Sequence, residues 1–231
     1  FIVMDVMKAA ADRESGGEGV LHMEVGQPST PAPAGVVAAA KVALDGEVLG
    51  YTLAMGIEPL RERISRHYQD FYGIAVPSER ICVTTGSSGA FLLTFLAAFD
   101  PGDKVAILRP GYPCYRNILG ALDIQAVEVP VGPESRFQPT LAALEAAGGS
   151  ALDGLLIASP ANPTGSMLRG DELRQILDYC RANEIRYISD EIYHGITYGE
   201  RAATAAALDP QAVVINSFSK YYSMTGWRLG W

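Results

Sequence analysis

The chain has 231 residues, 48% of them hydrophobic and 19% charged, enough for one sizeable core as a single large domain or one domain with an appendage. A net charge of −8 argues against a nucleic-acid surface, which needs clustered Lys and Arg, and no apolar run is long enough to span a bilayer. Cys82, Cys114 and Cys180 are widely spaced and form neither a metal pattern nor an even-numbered disulfide set. The opening stretch Phe1 to Lys8 is too short and wrongly ordered for a secretory signal. These features predict a soluble, cytoplasmic protein with no membrane or nucleic-acid partner.

Phe1 to Arg13 places Ile2, Val3, Val6, Met7, Ala10 and Ala11 at the spacing of one helix face. After the break at Gly16-Gly17, His22 to Ser29 reads as a short extended piece ending in a Gly/Pro turn. Pro31 to Pro33 then opens a helix over 34–45. Gly50-Tyr51 is a loop, and Glu58 to Tyr72 carries Leu60, Ile64, His67, Tyr68 and Phe71 on one helical face.

From Ile81 the pattern alternates. Strands are expected at 81–84, 104–108, 124–129, 154–158, 186–189 and 212–216, with helices at 88–98, 113–121, 139–147 and 170–183. Parallel neighbours need a crossover connection, so this alternation predicts an α/β fold with a mostly parallel, doubly wound sheet and flanking helices. Such sheets bind ligands beyond the carboxyl ends of their strands. The polar clusters fall there: Gly86-Ser87-Ser88, Arg109 to Tyr115, Ser159 to Gly165, Asp190 to Tyr193 and Ser217 to Lys220.

Taken singly, each cluster has an ordinary reading. Gly86-Ser87-Ser88-Gly89 joins a strand to a helix, where backbone N–H groups and two hydroxyls can hold an anion. It has neither Walker nor GxGxxG spacing, which makes a nucleotide-binding Rossmann domain the weaker alternative. Asn162 lies between two prolines that present its amide rigidly, although a Pro-rich turn needs no other purpose. Asp190 ends a strand and could be a solvated acid or a helix cap. Lys220 follows the apolar run Val213-Val214-Ile215 with few counter-ions nearby; most such lysines are surface residues, but a buried one loses its proton easily and can form a Schiff base.

Together, Asn162-Pro163-Thr164-Gly165, Ser189-Asp190-Glu191-Ile192-Tyr193 and Ser217-Phe218-Ser219-Lys220-Tyr221-Tyr222-Ser223-Met224-Thr225-Gly226-Trp227-Arg228 resemble the class I/II aminotransferases. These are fold-type I enzymes that use pyridoxal 5′-phosphate (PLP). The resemblance runs from Val25-Gly26-Gln27-Pro28 to Trp231. It implies that Lys220 is the Schiff-base lysine and later the proton carrier, and that Asp190 partners the pyridine nitrogen. It implies Asn162 and Tyr193 as donors to the ring's phenolic oxygen and Tyr112 as the aromatic on the ring face. The phosphate would fall to Gly86, Ser87, Ser88, Ser217 and Arg228, whose planar guanidinium suits it. Tyr51 resembles a tyrosine that reaches the neighbouring subunit's cofactor, which implies a homodimer with shared active sites. Gly26 resembles the glycine whose backbone meets the substrate carboxylate.

On this reading residues 1–45 form an N-terminal arm and a contribution to a small domain, and 46–231 form the PLP-binding large domain. The family's carboxylate-clamping arginine, in a C-terminal small domain, has no counterpart here; neither Arg109 nor Arg116 matches its motif. The start at Phe1 and the apolar residues from Leu229 to Trp231 lead us to expect that both ends are incomplete. The expected activity is transfer of an amino group between an amino acid and a 2-oxo acid by a ping-pong route. The same scaffold also carries β-lyases, decarboxylases and synthases, because the reaction depends on which Cα bond stands perpendicular to the ring. A PLP-domain regulatory module is a further alternative, although no basic helix-turn-helix is visible.

Overall fold

The structure, a computed structural model, describes residues 2–231. The part of the expected first helix that falls on Phe1 therefore lies outside the described residues. The N-terminal third holds three helices: α1 (Ile2–Ser15), α2 (Ala34–Gly46) and α3 (Glu58–Tyr72). Proline sits in the first turn of α3, where its missing N–H costs nothing, and Gly73 ends that helix at φ +73°, a conformation that glycine adopts without a Cβ clash. Among the described residues α1 buries only Ala10 and α2 buries none, whereas α3 buries Ile64 and Tyr68.

The alternating region follows as α4 (Gly86–Ala98), β1 (Lys104–Arg109), α5 (Cys114–Ala121), β2 (Gln125–Pro130), α6 (Leu141–Ala147), β3 (Gly154–Ala158), α7 (Gly170–Ala182), β4 (Arg186–Asp190) and β5 (Val213–Ile215). The strands form one sheet in the order β2-β1-β3-β4-β5, and every pairing is parallel. The expected doubly wound α/β class is therefore what the chain forms.

Alternation along the strands explains the two faces. Val105, Ile107, Leu156, Ile188 and Ile215 turn toward α4 and α5, meeting Phe91, Phe95 and Leu119. Ala106, Leu155, Ile157 and Tyr187 turn the other way, onto Leu144 of α6 and Leu173, Ile176 and Leu177 of α7. Because both faces are covered, β3 reads as an unbroken apolar run and every one of its residues is buried. A third cluster joins Ile64 and Tyr68 of α3 to Ile81 and Trp231.

The stretch 81–84 is not a strand, contrary to the sequence expectation. Only Thr84 pairs, in an antiparallel bridge with Gly230, and Gly230 is bridged on its other side to Ser217. Thr84 and Gly230 exchange backbone hydrogen bonds of 2.8 and 3.0 Å, and Asn216 and Trp231 do the same at 2.9 and 3.0 Å. Ile81 and Cys82 instead line a cleft of about 350 Å³ whose opposite wall is Val213, Val214 and Ile215. A β-type sequence makes a ladder only where a neighbour takes its backbone groups. Residue types alone did not reveal that the Val83 N–H goes to the Met55 carbonyl at 3.0 Å and not to a strand. Helix ends otherwise agree with expectation within about two residues, the usual ambiguity of helix boundaries. Among the described residues no helix is long and apolar enough to cross a membrane, and no group of His, Cys, Asp or Glu could hold a metal ion.

Candidate active site

The carboxyl ends of the parallel strands bring together side chains that the sequence scatters over more than half its length. β4 ends on Asp190, whose side chain is 3% exposed. Its Oδ1 accepts the Ile192 backbone N–H at 3.1 Å, and its Oδ2 accepts the hydroxyl of Tyr115. Burial raises the Asp190 pKa to about 6, and the two hydrogen bonds work against that rise.

Tyr193 stands three residues beyond Asp190 and shares a side-chain hydrogen bond with Asn162. Burial, and then the charge of Asp190, push its phenol above the ordinary range. Tyr112 lies on the same side, its pKa pushed up to about 12 by burial first and by Cys114 second. The Cys114 thiol contacts both Tyr112 and Ser88, so it links the aromatic to the start of α4.

That helix start forms the second half of the site. Gly86 has φ +75°, and a Cβ there would overlap the guanidinium of Arg228. Gly230 is equally constrained, since a Cβ on it would fall 2.8 Å from the Gly86 carbonyl carbon and 3.0 Å from the Ser87 nitrogen. The two missing Cβ atoms let the first turn of α4, the buried Ser217 and Arg228 converge. No side chain caps that turn; the Gly86 N–H goes to the Thr84 carbonyl at 2.9 Å, and the N–H groups that follow it, on Ser87 and Ser88, are the ones placed for an anion. Arg228 Nη1 donates to the Thr225 carbonyl at 2.9 Å, which steadies the guanidinium beside this turn.

Lys220 lies next to this cradle. Its Nζ donates to the Gly26 carbonyl at 2.8 Å, which ties the N-terminal segment to the site. Burial, with a smaller contribution from Arg228, holds its pKa below the ordinary lysine value. Glu191 and His194, both buried, follow Asp190 along the chain and bond to other segments. Glu191 Oε1 accepts from the Ala205 N–H at 2.8 Å and from Ser189 Oγ at 3.1 Å. His194 Nε2 lies 2.9 Å from the Ser159 carbonyl, which can only accept, so that nitrogen carries the proton and fastens the turn leading to Asn162.

The expected residues Lys220, Asp190, Tyr193, Asn162, Tyr112, Gly86, Ser87, Ser88, Ser217, Arg228 and Gly26 thus belong to one region at the strand ends. Tyr51 does not join them, since its side chain is fully exposed. Arg109 and Arg116 are engaged elsewhere, both with Glu128, at 3.5 and 2.8 Å. Sequence reasoning missed Tyr115. It lay inside a recognised polar cluster, but a tyrosine on an amphipathic helix carries no signal of a buried carboxylate partner.

Comparison with known proteins places the chain in a family. The model of the aminotransferase class I and II family matches residues 18–231, so the chain belongs to that family. It is 52% identical over 233 residues to valine–pyruvate aminotransferase of Mycobacterium tuberculosis, covering 100% of this chain and 60% of that relative. An aminotransferase structure from the same organism superposes with a TM-score of 0.94 at 51% identity, covering 99% of this chain and 59% of the other. Aspartate aminotransferase from Thermus thermophilus, with maleate, gives 0.94 at 28% identity, covering 99% and 60%. The chain therefore spans about 60% of the length of the curated relatives it matches.

Enzymes of this family are PLP-dependent. The residues present fit that group. The cradle that a Cβ on Gly86 would fill suits a phosphate, and the buried Asp190 suits a protonated ring nitrogen. Lys220, with its lowered pKa, suits an aldehyde carbon.

Proposed function

We propose that the protein is a PLP-dependent aminotransferase that moves an amino group between an amino acid and a 2-oxo acid in two half-reactions. The observation that carries this reading is the pairing, at one set of strand ends, of a lysine with lowered pKa and a fully buried aspartate. When bound, the cofactor supplies an aldehyde that takes up the amino group and a ring that draws electron density from the substrate Cα.

The chain's own residues do the rest. Lys220 Nζ, whose pKa burial holds below the ordinary lysine value, would be the amine that holds the cofactor's aldehyde and the general acid and base that moves a proton at the substrate. Asp190 would hold the ring nitrogen and favour its protonated form. Asn162 and Tyr193 would donate to the ring's phenolic oxygen, and Tyr112 would cover the ring face. Ser87 and Ser88 would offer N–H and hydroxyl donors to the phosphate beside Gly86, whose missing Cβ leaves the room, joined by Ser217 and the fork of Arg228. Gly26 borders the reacting amine through its bond to Lys220, a position suited to the substrate carboxylate.

Residues 1–45 are assigned to an N-terminal arm with a contribution to a small domain, and 46–231 to the cofactor-binding domain. The exposed Tyr51 then reaches the cofactor of a second copy in a homodimer, where its full exposure within one chain is accounted for. A cytoplasmic setting suits the three free thiols, Cys82, Cys114 and Cys180. Valine and pyruvate are the first substrate pair to try, on the strength of the 52% identical relative.

The test is spectroscopic. The full-length gene product supplied with PLP should show a near-visible band that borohydride fixes, with the added mass on the peptide holding Lys220. Valine should bleach that band and pyruvate restore it. Lys220→Ala should abolish it; a normal band in that variant, or none in the folded wild type, would sink the reading. Pyruvate or ammonia release without the reversible bleaching would replace transamination with lyase chemistry.

A further inference from the structure

Tyr115 occupies a junction that none of the roles above uses. It lies in the first turn of α5, and its side chain is wholly buried. The hydroxyl meets Asp190 Oδ2, and the ring edge packs against Tyr112 at 5.4 Å and 84° and against Phe91 at 5.0 Å and 66°. One side chain therefore touches both the acid assigned to the ring nitrogen and the aromatic assigned to the ring face.

We propose that Tyr115 is a positioning residue that keeps Asp190 ionised and in one orientation for the cofactor's ring nitrogen, and that sets the plane of Tyr112. The proposal rests on the functional reading above and deepens it. Its basis is donor geometry. Oδ1 of Asp190 already faces the Ile192 N–H, and Oδ2 faces the Tyr115 O–H. A carboxylate accepts from both donors at once, whereas a protonated carboxyl could keep both contacts only if the Tyr115 hydroxyl rotated to become the acceptor. The arrangement therefore suits the anion, in a place where burial favours the neutral acid.

Of the two donors, the Ile192 N–H belongs to the backbone, and only the Tyr115 hydroxyl is set by side-chain identity. Without it Asp190 becomes a stronger base and draws the proton off the ring nitrogen, leaving a neutral ring that accepts charge poorly. The other titratable groups around Asp190 are Tyr112 on the turn before α5, and Glu191 and Tyr193 on its own segment. The three phenols are all held above their ordinary pKa and stay neutral across the working range, so they do not supply a competing charge.

Tyr115→Phe isolates the hydroxyl, because it keeps the ring and both edge contacts. In the full-length protein without cofactor, carbon-13 NMR of labelled aspartates follows the Asp190 carboxyl, assigned by its disappearance in Asp190→Asn. Tyr115→Phe should raise its acid midpoint by about one unit or more, a tenfold change typical of losing a hydrogen bond to a charged group. With cofactor bound, kcat should fall about tenfold while KM stays within about twofold, since the loss concerns ring protonation rather than substrate binding. 3-Fluorotyrosine at position 115, a stronger donor of nearly the same shape, should move the midpoint down instead, and it supplies the test if Tyr115→Phe folds poorly. An Asp190 midpoint that neither variant moves, in a wild type that binds PLP, overturns the assignment of Tyr115 alone. A wild type that binds no PLP overturns the functional reading, and this proposal with it.

Discussion

Every residue of strand β3 is buried, whereas helix α2, more than twice as long, buries none. The contrast extends to whole regions. In the sheet and its helices, large apolar side chains such as Phe95, Leu155 and Ile157 lose all contact with solvent. In the N-terminal third, Leu21, Met23 and Val48 are 92%, 93% and 99% exposed. Both regions are comparably apolar in composition, so the difference lies in what each has to pack against. The sheet finds its covering layers within the chain. The N-terminal third finds few, and a second copy would supply the missing surface in the homodimer proposed above.

The largest expected effect falls in the sheet. Leu155→Ala leaves a cavity between two covered faces and should cost about 2–5 kcal/mol of stability, read as a lowered denaturant midpoint. The same truncation at Leu21 should leave the isolated chain within about 0.5 kcal/mol. Equal losses at the two positions would erase the contrast.

Asp190 gives the next effect. Its folded pKa, about 6, lies above the ordinary aspartate value of about 3.9, so the native state binds the proton more tightly than the unfolded chain does. That contribution is fully present below about pH 4 and is lost as pH rises through 6. In the cofactor-free protein it amounts to about 3 kcal/mol. Asp190→Asn should flatten this stretch of the stability–pH profile, and an unchanged slope would mean that another group titrates there.

Gly86→Ala follows. A side chain at φ +75°, aimed at the Arg228 guanidinium, should weaken PLP binding by about tenfold in a titration of the near-visible band. Wild-type affinity would move the phosphate away from this turn. The smallest stability effect belongs to Tyr51→Ala, within about 0.5 kcal/mol for one chain. If the dimer reading holds, this variant should still retain PLP less well, as measured by loss of the band on dialysis.

How much of this could be read from the residues differs by region in the same way. Parallel crossovers leave a strong mark, because each doubly covered strand is an apolar run and each helix between strands is amphipathic; β1, β3, β4 and α7 were plain for that reason. The residues at the strand ends were legible through motif order, with Lys220, Asp190 and Asn162 each ambiguous alone. Two features were not legible. Residues 81–84 have strand chemistry, but pairing depends on a neighbour that sequence does not display. Tyr115 looks like any helix-face tyrosine until the fold turns its hydroxyl onto Asp190.

The bridge at Gly230 has a consequence for how the site comes into being. One wall of the cradle proposed for the phosphate is the start of α4, and the other is Arg228 together with Gly230, nearly two-thirds of the chain away. Contacts of such sequence separation close slowly, because the intervening chain must first be ordered. During synthesis α4 leaves the ribosome well before its counterpart exists, so the emerging chain carries a half-built anion site through the making of the whole sheet. Competence to hold the cofactor should therefore arise abruptly and late, as a step that follows formation of the sheet.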